Sequence, residues 1–313
     1  MKKTLTGWLR LVRVPNLFSV PGDPAAGFLL TTGVWLPGCA WRIVPLMLAS
    51  LCAYIAGLIS NDLADLKEDC EKRPFRPIPS HAVSIRAAVA ACIAAAVLTL
   101  VFASVGVASF LTAAVLLVCI FRYNFCKNEA GERGTAGLIR MGACRFLSVL
   151  LGAAGAYDIY ADSISIFRYA VPLIFATGVF LYIYGLSRSA QSETELLPER
   201  PGYRIFLSGA IISYATLFAL VIQKPTDNWY ELVCGGISAL SAAVFLVLAY
   251  WCFRLFHYPI LPKQVQKSIG LLIFGLIFLQ AAAIAAASVL WMALAFLAAA
   301  VLSRFAAKAF YGS

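Results

Sequence analysis

The chain has 313 residues, 62% of them hydrophobic and only 13% charged, with a mean hydropathy of +0.85. Soluble domains run at about 45–50% apolar and about 25% charged, so an ordinary soluble domain, a disordered chain and a coiled coil are excluded, and an integral membrane protein remains. The net charge of +10 would suggest a nucleic-acid partner in a soluble chain; here it fits loops that collect Lys and Arg on one side of a membrane, and no nucleic-acid partner is expected.

A helical span needs roughly 20 mainly apolar residues to cross about 30 Å of hydrocarbon. The segment Met1–Arg13 comes first. It mixes Lys2, Lys3, Arg10 and Arg13 with Trp8, and reads as an interfacial amphipathic segment rather than a cleavable signal. Apolar runs then place spans at approximately 16–36, 44–64, 84–104, 106–124, 136–156, 167–187, 204–223, 232–254 and 268–288. The stretch from Val289 to Phe310 is apolar enough for a tenth span, or to continue the ninth at the surface. The expected fold is an all-α, polytopic membrane bundle of nine or ten transmembrane helices, forming one domain over residues 1–313.

Basic residues precede the first span (Lys2, Lys3, Arg10, Arg13) and cluster between the second and third (Lys67, Lys72, Arg73, Arg76, Arg86). More flank the fourth-to-fifth connection (Arg122, Lys127, Arg133, Arg140, Arg145), follow the sixth span (Arg188, Arg200, Arg204) and surround the eighth-to-ninth connection (Arg254, Lys263, Lys267). The opposite loops hold only Arg42, Arg168 and Lys224. The positive-inside rule then puts the N-terminus and the basic loops in the cytoplasm, with a bacterial inner membrane as the expected location. Those loops are also the longer and more polar ones, so the chemistry is sought there. Nine cysteines lie scattered without a CxxC pair, and His81 and His257 are the two histidines, which argues against a zinc site or a disulfide framework.

The most informative stretch closes the second span: Asn61-Asp62-Leu63-Ala64-Asp65-Leu66-Lys67-Glu68-Asp69. On a helix, Asn61, Asp65 and Asp69 recur every four residues and share a face, with Asp62 one turn before Asp65. Carboxylates stacked this way repel one another unless water solvates them or a divalent cation bridges them. Oxygen donors on a helix face, with waters completing an octahedron, suit Mg²⁺ held together with a substrate phosphate. The plainer reading is a solvated helix end, offset by Lys67, Lys72, Arg73 and Arg76. The regular spacing and the following Arg76-Pro77-Ile78-Pro79-Ser80 favour the metal.

At these residues the sequence resembles the UbiA superfamily of intramembrane prenyltransferases, whose first motif, NDxxDxxxD, is followed by a basic loop containing RPxPSG. His81 stands where the family usually has Gly. Tyr123-x-x-x-Lys127 is similar to the family's YxxxK, whose Tyr and Lys contact the diphosphate, and Arg13 with Asn16 resembles its R-x-x-N. The resemblance implies a central cavity that opens to the cytoplasmic side and to the bilayer. It implies Mg²⁺ held by Asn61, Asp62, Asp65 and Asp69, catalytic roles for Asp65, Asp69 and Lys127, and substrate contacts from Arg13, Asn16, Asn61, Arg76 and Tyr123. The implied partners are a prenyl diphosphate, a lipophilic or aromatic acceptor, and membrane lipid.

The family's second motif, DxxxD at the end of the sixth span, is missing. The chain reads Tyr182-Ile183-Tyr184-Gly185-Leu186-Ser187-Arg188-Ser189-Ala190-Gln191-Ser192-Glu193-Thr194-Glu195, without an aspartate. Glu193 is one replacement, as a longer carboxylate. Arg188 is the other, meeting a phosphate directly, and it is favoured because it lies nearer the end of the span. In this weakened second motif the chain resembles the EboC-like subgroup of the superfamily. Tyr182 and Tyr184 are candidates to shield a carbocation. Asp23, in Pro21-Gly22-Asp23-Pro24 inside the first span, is expected either to line the cavity or to cap a helix broken by the two prolines. His81 is expected in a loop turn and His257 at the membrane interface. The function that emerges is Mg²⁺-assisted transfer of a prenyl group from its diphosphate to an acceptor. Two alternatives stay open: a weakened relative that only binds a lipid diphosphate, and a transporter with a midplane site at Asp23. Against transport, the acids cluster at one membrane face and no inverted repeat is evident.

Overall fold

The structure, a computed structural model, describes residues 2–36, 38–126, 134–162, 164–191, 202–225, 227–255 and 262–311. Among them the order is α1 (Lys2–Leu11), α2 (Val14–Leu17), α3 (Gly22–Thr32), α4 (Cys39–Ala64), α5 (Leu66–Lys72), α6 (Ile85–Ala103), α7 (Val107–Phe125), α8 (Gly134–Tyr160), a 3₁₀ turn (Ile166–Tyr169), α9 (Ala170–Gln191), α10 (Tyr203–Val221), α11 (Trp229–Leu255), α12 (Pro262–Ala286) and α13 (Leu290–Tyr311). Eight of these, α4 and α6 to α12, are long and apolar enough to cross a membrane, and α13 adds a shorter apolar stretch, Leu290–Ala306.

The expected first span, 16–36, is not continuous. It is two helices, α2 and α3, because prolines punctuate it: Pro15 in the first turn of α2, Pro21 at the cap of α3 and Pro24 in its first turn. Proline fits a helix start, where its missing N–H is not needed, but not a helix interior, so the chain stops and starts again. The resulting α3 has only 11 residues, yet every one of them is buried.

In lipid, burial of apolar surface drives helix association weakly, and close packing of small side chains takes over. The two innermost helices follow this rule. On α12, Ala281 and Ala285 pack into a cluster with Ala25, Phe28 and Leu29 of α3, while Ala282, Ala283 and Ala286 join a second cluster with Ala26 and Leu30. A glycine seam brings α3 against α8. A Cβ on Gly27 would run into the Val149 carbonyl oxygen, and one on Gly152 into that of Pro24, so backbone meets backbone. The peripheral α6 and α7 expose Ile93, Val97, Val101, Leu111, Val115 and Val118, a surface suited to lipid. At the far end of α8, Asp158 accepts hydrogen bonds from the backbone N–H groups of Ala108 (2.8 Å) and Ser109 (2.9 Å) and so caps the start of α7 from another helix.

Candidate active site

The second-span motif does not lie on one uninterrupted helix. Here α4 ends at Ala64, Asp65 takes φ −91° and ψ 2°, and α5 begins at Leu66. The Asp69 N–H still donates to the Asp65 carbonyl at 2.8 Å, so the register survives the kink. The acids nevertheless take different partners. The Asn61 amide donates to the Asp65 carboxylate at 3.2 Å. Asp62 and Asp69, two turns apart, share Arg76 instead, which lies 3.5 Å from Asp62 and 2.6 Å from Asp69. Arg13 stands 3.8 Å from Asp62, and Arg73 stands 4.0 Å from Asp69. Both carboxylates are buried, with Asp62 at 6% and Asp69 at 2% exposure. Two buried like charges require a nearby cation, and Arg76 supplies it.

The loop after α5 fixes Arg76 in place. Its turn closes through Ser80 N–H to the Arg76 carbonyl (2.9 Å), His81 N–H to Ile78 (3.0 Å) and Val83 N–H to Pro77 (3.0 Å). His81, in the turn as expected, sits at φ 58°, a left-handed conformation that glycine adopts without strain. Ile78 and Val83 anchor the loop in a cluster with Leu11 and Ile59.

Arg76 is a stand-in cation between Asp62 and Asp69, which marks this point as one that draws positive charge. Asn61, Asp62, Asp65 and Asp69 offer only carboxylate and amide oxygens, the ligand type that Mg²⁺ takes, so the residues fit that ion. Among the described residues, no three His, Cys, Asp or Glu side chains are gathered as a metal-binding group. Arg76 pairs with Asp62 and Asp69, and the Asn61 amide donates to Asp65.

Beside this cluster lies a cavity of about 180 Å³ between α4, α7 and α8. Arg13, Asn61 and Tyr123 line it, and Ala53, Leu58, Leu116, Ile120 and Met141 give it apolar walls. Its helices are pinned by polar contacts. The Asn124 amide donates to the Gly57 carbonyl (2.9 Å) and the Ser60 hydroxyl (2.6 Å), while Ser50 and Ser148 share a 2.7 Å hydrogen bond.

Arg145 also lines this cavity. The sequence reading counts it with the basic flank of the fifth span, but it lies inside α8 with its side chain 14% exposed. Its guanidinium donates to the Asp23 carboxylate (2.6 Å), the Ser19 carbonyl (3.1 Å) and the Ser19 hydroxyl (2.9 Å). From α12, Gln280 donates to the other Asp23 oxygen (2.6 Å) and to the Ser19 carbonyl (2.7 Å). Asp23 thus takes neither expected role: it does not line the cavity, and its side chain caps no helix. It holds Arg145. The signal was present as two opposite charges interrupting two apolar spans.

Of the other expected site residues, Asn16 is half-buried outside the cavity lining, its carbonyl accepting from Ser19. Arg188 is exposed near the end of α9 and is not brought to the cavity. Tyr182 is buried away from it, its ring 4.5 Å from that of Phe206 and its hydroxyl donating to the Leu272 carbonyl at 2.6 Å. Tyr184 stacks on Phe180 at 6.3 Å. Lys127, Glu193 and His257 lie outside the described residues.

An all-helical membrane bundle with an acid–arginine cluster that shares Arg13 and Asn61 with the lining of a largely apolar cavity is the class of protein these features define. The model of the UbiA prenyltransferase family matches residues 24–259, and the chain belongs to that family. Its fold is similar to the apo structure of a UbiA homolog from Aeropyrum pernix K1, with TM-score 0.61 and 18% identity over 85% of this chain and 96% of that one. It is similar to digeranylgeranylglyceryl phosphate synthase, with TM-score 0.57 and 15% identity over 92% of this chain and 99% of that one. A UbiA homolog from Archaeoglobus fulgidus bound to DMAPP and Mg²⁺ gives TM-score 0.55 and 18% identity over 90% of this chain and 99% of that one. No curated protein matches the chain in sequence.

Proposed function

We propose that the chain transfers a prenyl group from a prenyl diphosphate to a lipophilic or aromatic acceptor inside the membrane, with Mg²⁺ held at Asn61, Asp62, Asp65 and Asp69. The observation that carries this reading is the pair of buried carboxylates, Asp62 and Asp69, sharing Arg76 beside a cavity with apolar walls. Membership of the UbiA family supports it, as does the related fold solved with DMAPP and Mg²⁺.

Ionising an allylic diphosphate builds negative charge on the leaving group and positive charge on the hydrocarbon. Mg²⁺ supplies charge neutralisation on the departing diphosphate. The chain's own residues do the rest. Arg13, Arg76 and Arg145 provide fixed positive charge for the diphosphate, joined by Tyr123 and by Lys127, as the family's YxxxK implies. Asp23 and Gln280 orient Arg145, which we assign the role left open by the missing second motif. Leu116, Ile120 and Met141 keep water from the allylic cation, and Tyr54 is an aromatic face in the same lining. This end of the molecule faces the cytoplasm of a bacterial inner membrane in this reading.

The test is to incubate purified protein with labelled prenyl diphosphates and membrane extract, with and without Mg²⁺. A labelled lipid product and released diphosphate are expected only with Mg²⁺. Mg²⁺-dependent binding without product in any extract identifies a binding relative instead of an enzyme, and no binding at all refutes the proposal.

A further inference from the structure

On the membrane face opposite the aspartates, a pocket of about 430 Å³ opens where α3 ends, beside the 3₁₀ turn and the α10–α11 and α12–α13 connections. Arg42, Arg168 and Lys224 are the basic residues of this face. Arg42 is spent on the Val105 carbonyl at 3.3 Å. The other two both line the pocket.

Each is positioned differently. Lys224 is held at the rim by Glu231 (2.9 Å) and by the Ser288 hydroxyl, which itself donates to Glu231 at 2.7 Å. Tyr230 donates to the Ser288 carbonyl at 2.9 Å, fixing that turn, where Ser288 has φ 61°. Arg168 lies over Gly33, at φ 75°, where a Cβ would run into the guanidinium. Among the described residues, the Arg168 guanidinium has no hydrogen-bond or ion-pair partner. Two cations against one carboxylate leave the pocket net positive, while Val171 and Leu220 give it apolar walls. On the same membrane face, at the starts of α4, α11 and α13, stand exposed Trp41 (84%), Trp229 (72%) and Trp291 (56%). Tryptophans concentrate at headgroup depth, so this belt sets the pocket at the polar boundary of the bilayer.

We propose that this pocket binds the phosphate-bearing headgroup of an anionic phospholipid, with Arg168 and Lys224 taking the phosphate and the apolar walls taking the first part of the acyl chains. A soluble anion would use the cations but neither the walls nor the tryptophan belt. The site is separate from the cavity at the aspartates and does not depend on its chemistry.

The test uses the full chain in phosphatidylcholine bilayers carrying a phosphatidylglycerol with a photoreactive headgroup, with cross-links mapped by mass spectrometry. Mapping separates this site from lipid drawn to the more basic opposite face. Cross-links are expected near residues 168–171 and 220–231, and they should exceed those from a photoreactive phosphatidylcholine. Arg168→Gln should lower them about fivefold, the effect of one basic residue near an anionic surface. Arg42→Gln should leave them unchanged, and inorganic phosphate should not compete. Because Arg168 has no protein partner, its loss does not endanger the fold. Cross-links confined to the aspartate face overturn the proposal. So do equal labelling by the zwitterionic probe, an unaffected Arg168→Gln variant, or displacement by phosphate.

Discussion

Arg145 serves the bundle and the cavity at once, and the two roles separate experimentally. Arg145→Ala leaves Asp23, at 1% exposure, buried without its cation. Breaking a buried pair from one side costs about 3–5 kcal/mol, so thermal unfolding in detergent should show a large loss of stability. Asp23→Leu combined with Arg145→Met removes both charges and should recover most of that stability while still failing to bind prenyl diphosphate. If the double variant binds as the parent does, Arg145 is a structural residue only. Arg145→Lys keeps the charge but loses the planar fork, so binding should weaken without vanishing. Arg188→Ala and Glu193→Gln should both leave binding unchanged; loss of Mg²⁺-dependent activity in Glu193→Gln alone would point to a second metal held by the loop after α9. The sequence sets the acids and Arg76 close together along the chain, because Asn-Asp spacing and the Arg-Pro run are local features. It did not reveal Arg145, because its partners Asp23 and Gln280 come from distant helices and only packing joins them.

At the scale of elements, the long apolar runs gave the spanning helices to within a few residues, since length and hydropathy are set by the bilayer. Two breaks were harder to read. The proline-rich first span splits into α2 and α3, and α4 stops at Asp65 although no proline or glycine marks the site. The contact between α8 and α7 gives a clean test of element stability. Asp158 accepts from two backbone N–H groups and from the Ser109 hydroxyl at 2.8 Å, so Asp158→Ala should cost about 1–2 kcal/mol, the usual worth of a helix cap. Hydrogen exchange should quicken at Ala108 and Ser109, with diphosphate binding unchanged because the cap lies at the other end of the bundle. Exchange that stays slow would show that packing alone fixes the start of α7.

At the scale of the whole molecule, the bundle was legible from composition and charge, but which helices enclose the cavity was not. Position along the chain does not say which face of α9 turns inward, and its aromatics Tyr182 and Tyr184 pack against neighbouring rings rather than the cavity. The proposed orientation, with the basic loops in the cytoplasm, has a direct check in two native thiols, Cys70 and Cys126, both exposed. A membrane-impermeant maleimide should label them only after cells are permeabilised; labelling in intact cells would reverse the orientation. The central claim is that the first motif holds Mg²⁺ and prenyl diphosphate together. Equilibrium binding of a labelled prenyl diphosphate to purified protein, with and without Mg²⁺, tests it in the parent chain and in the Asp65→Ala/Asp69→Ala variant. Mg²⁺-dependent binding is expected in the parent and its loss in a variant that remains folded, with turnover falling on the order of 10²-fold or more. Binding that persists unchanged in the variant would contradict the claim.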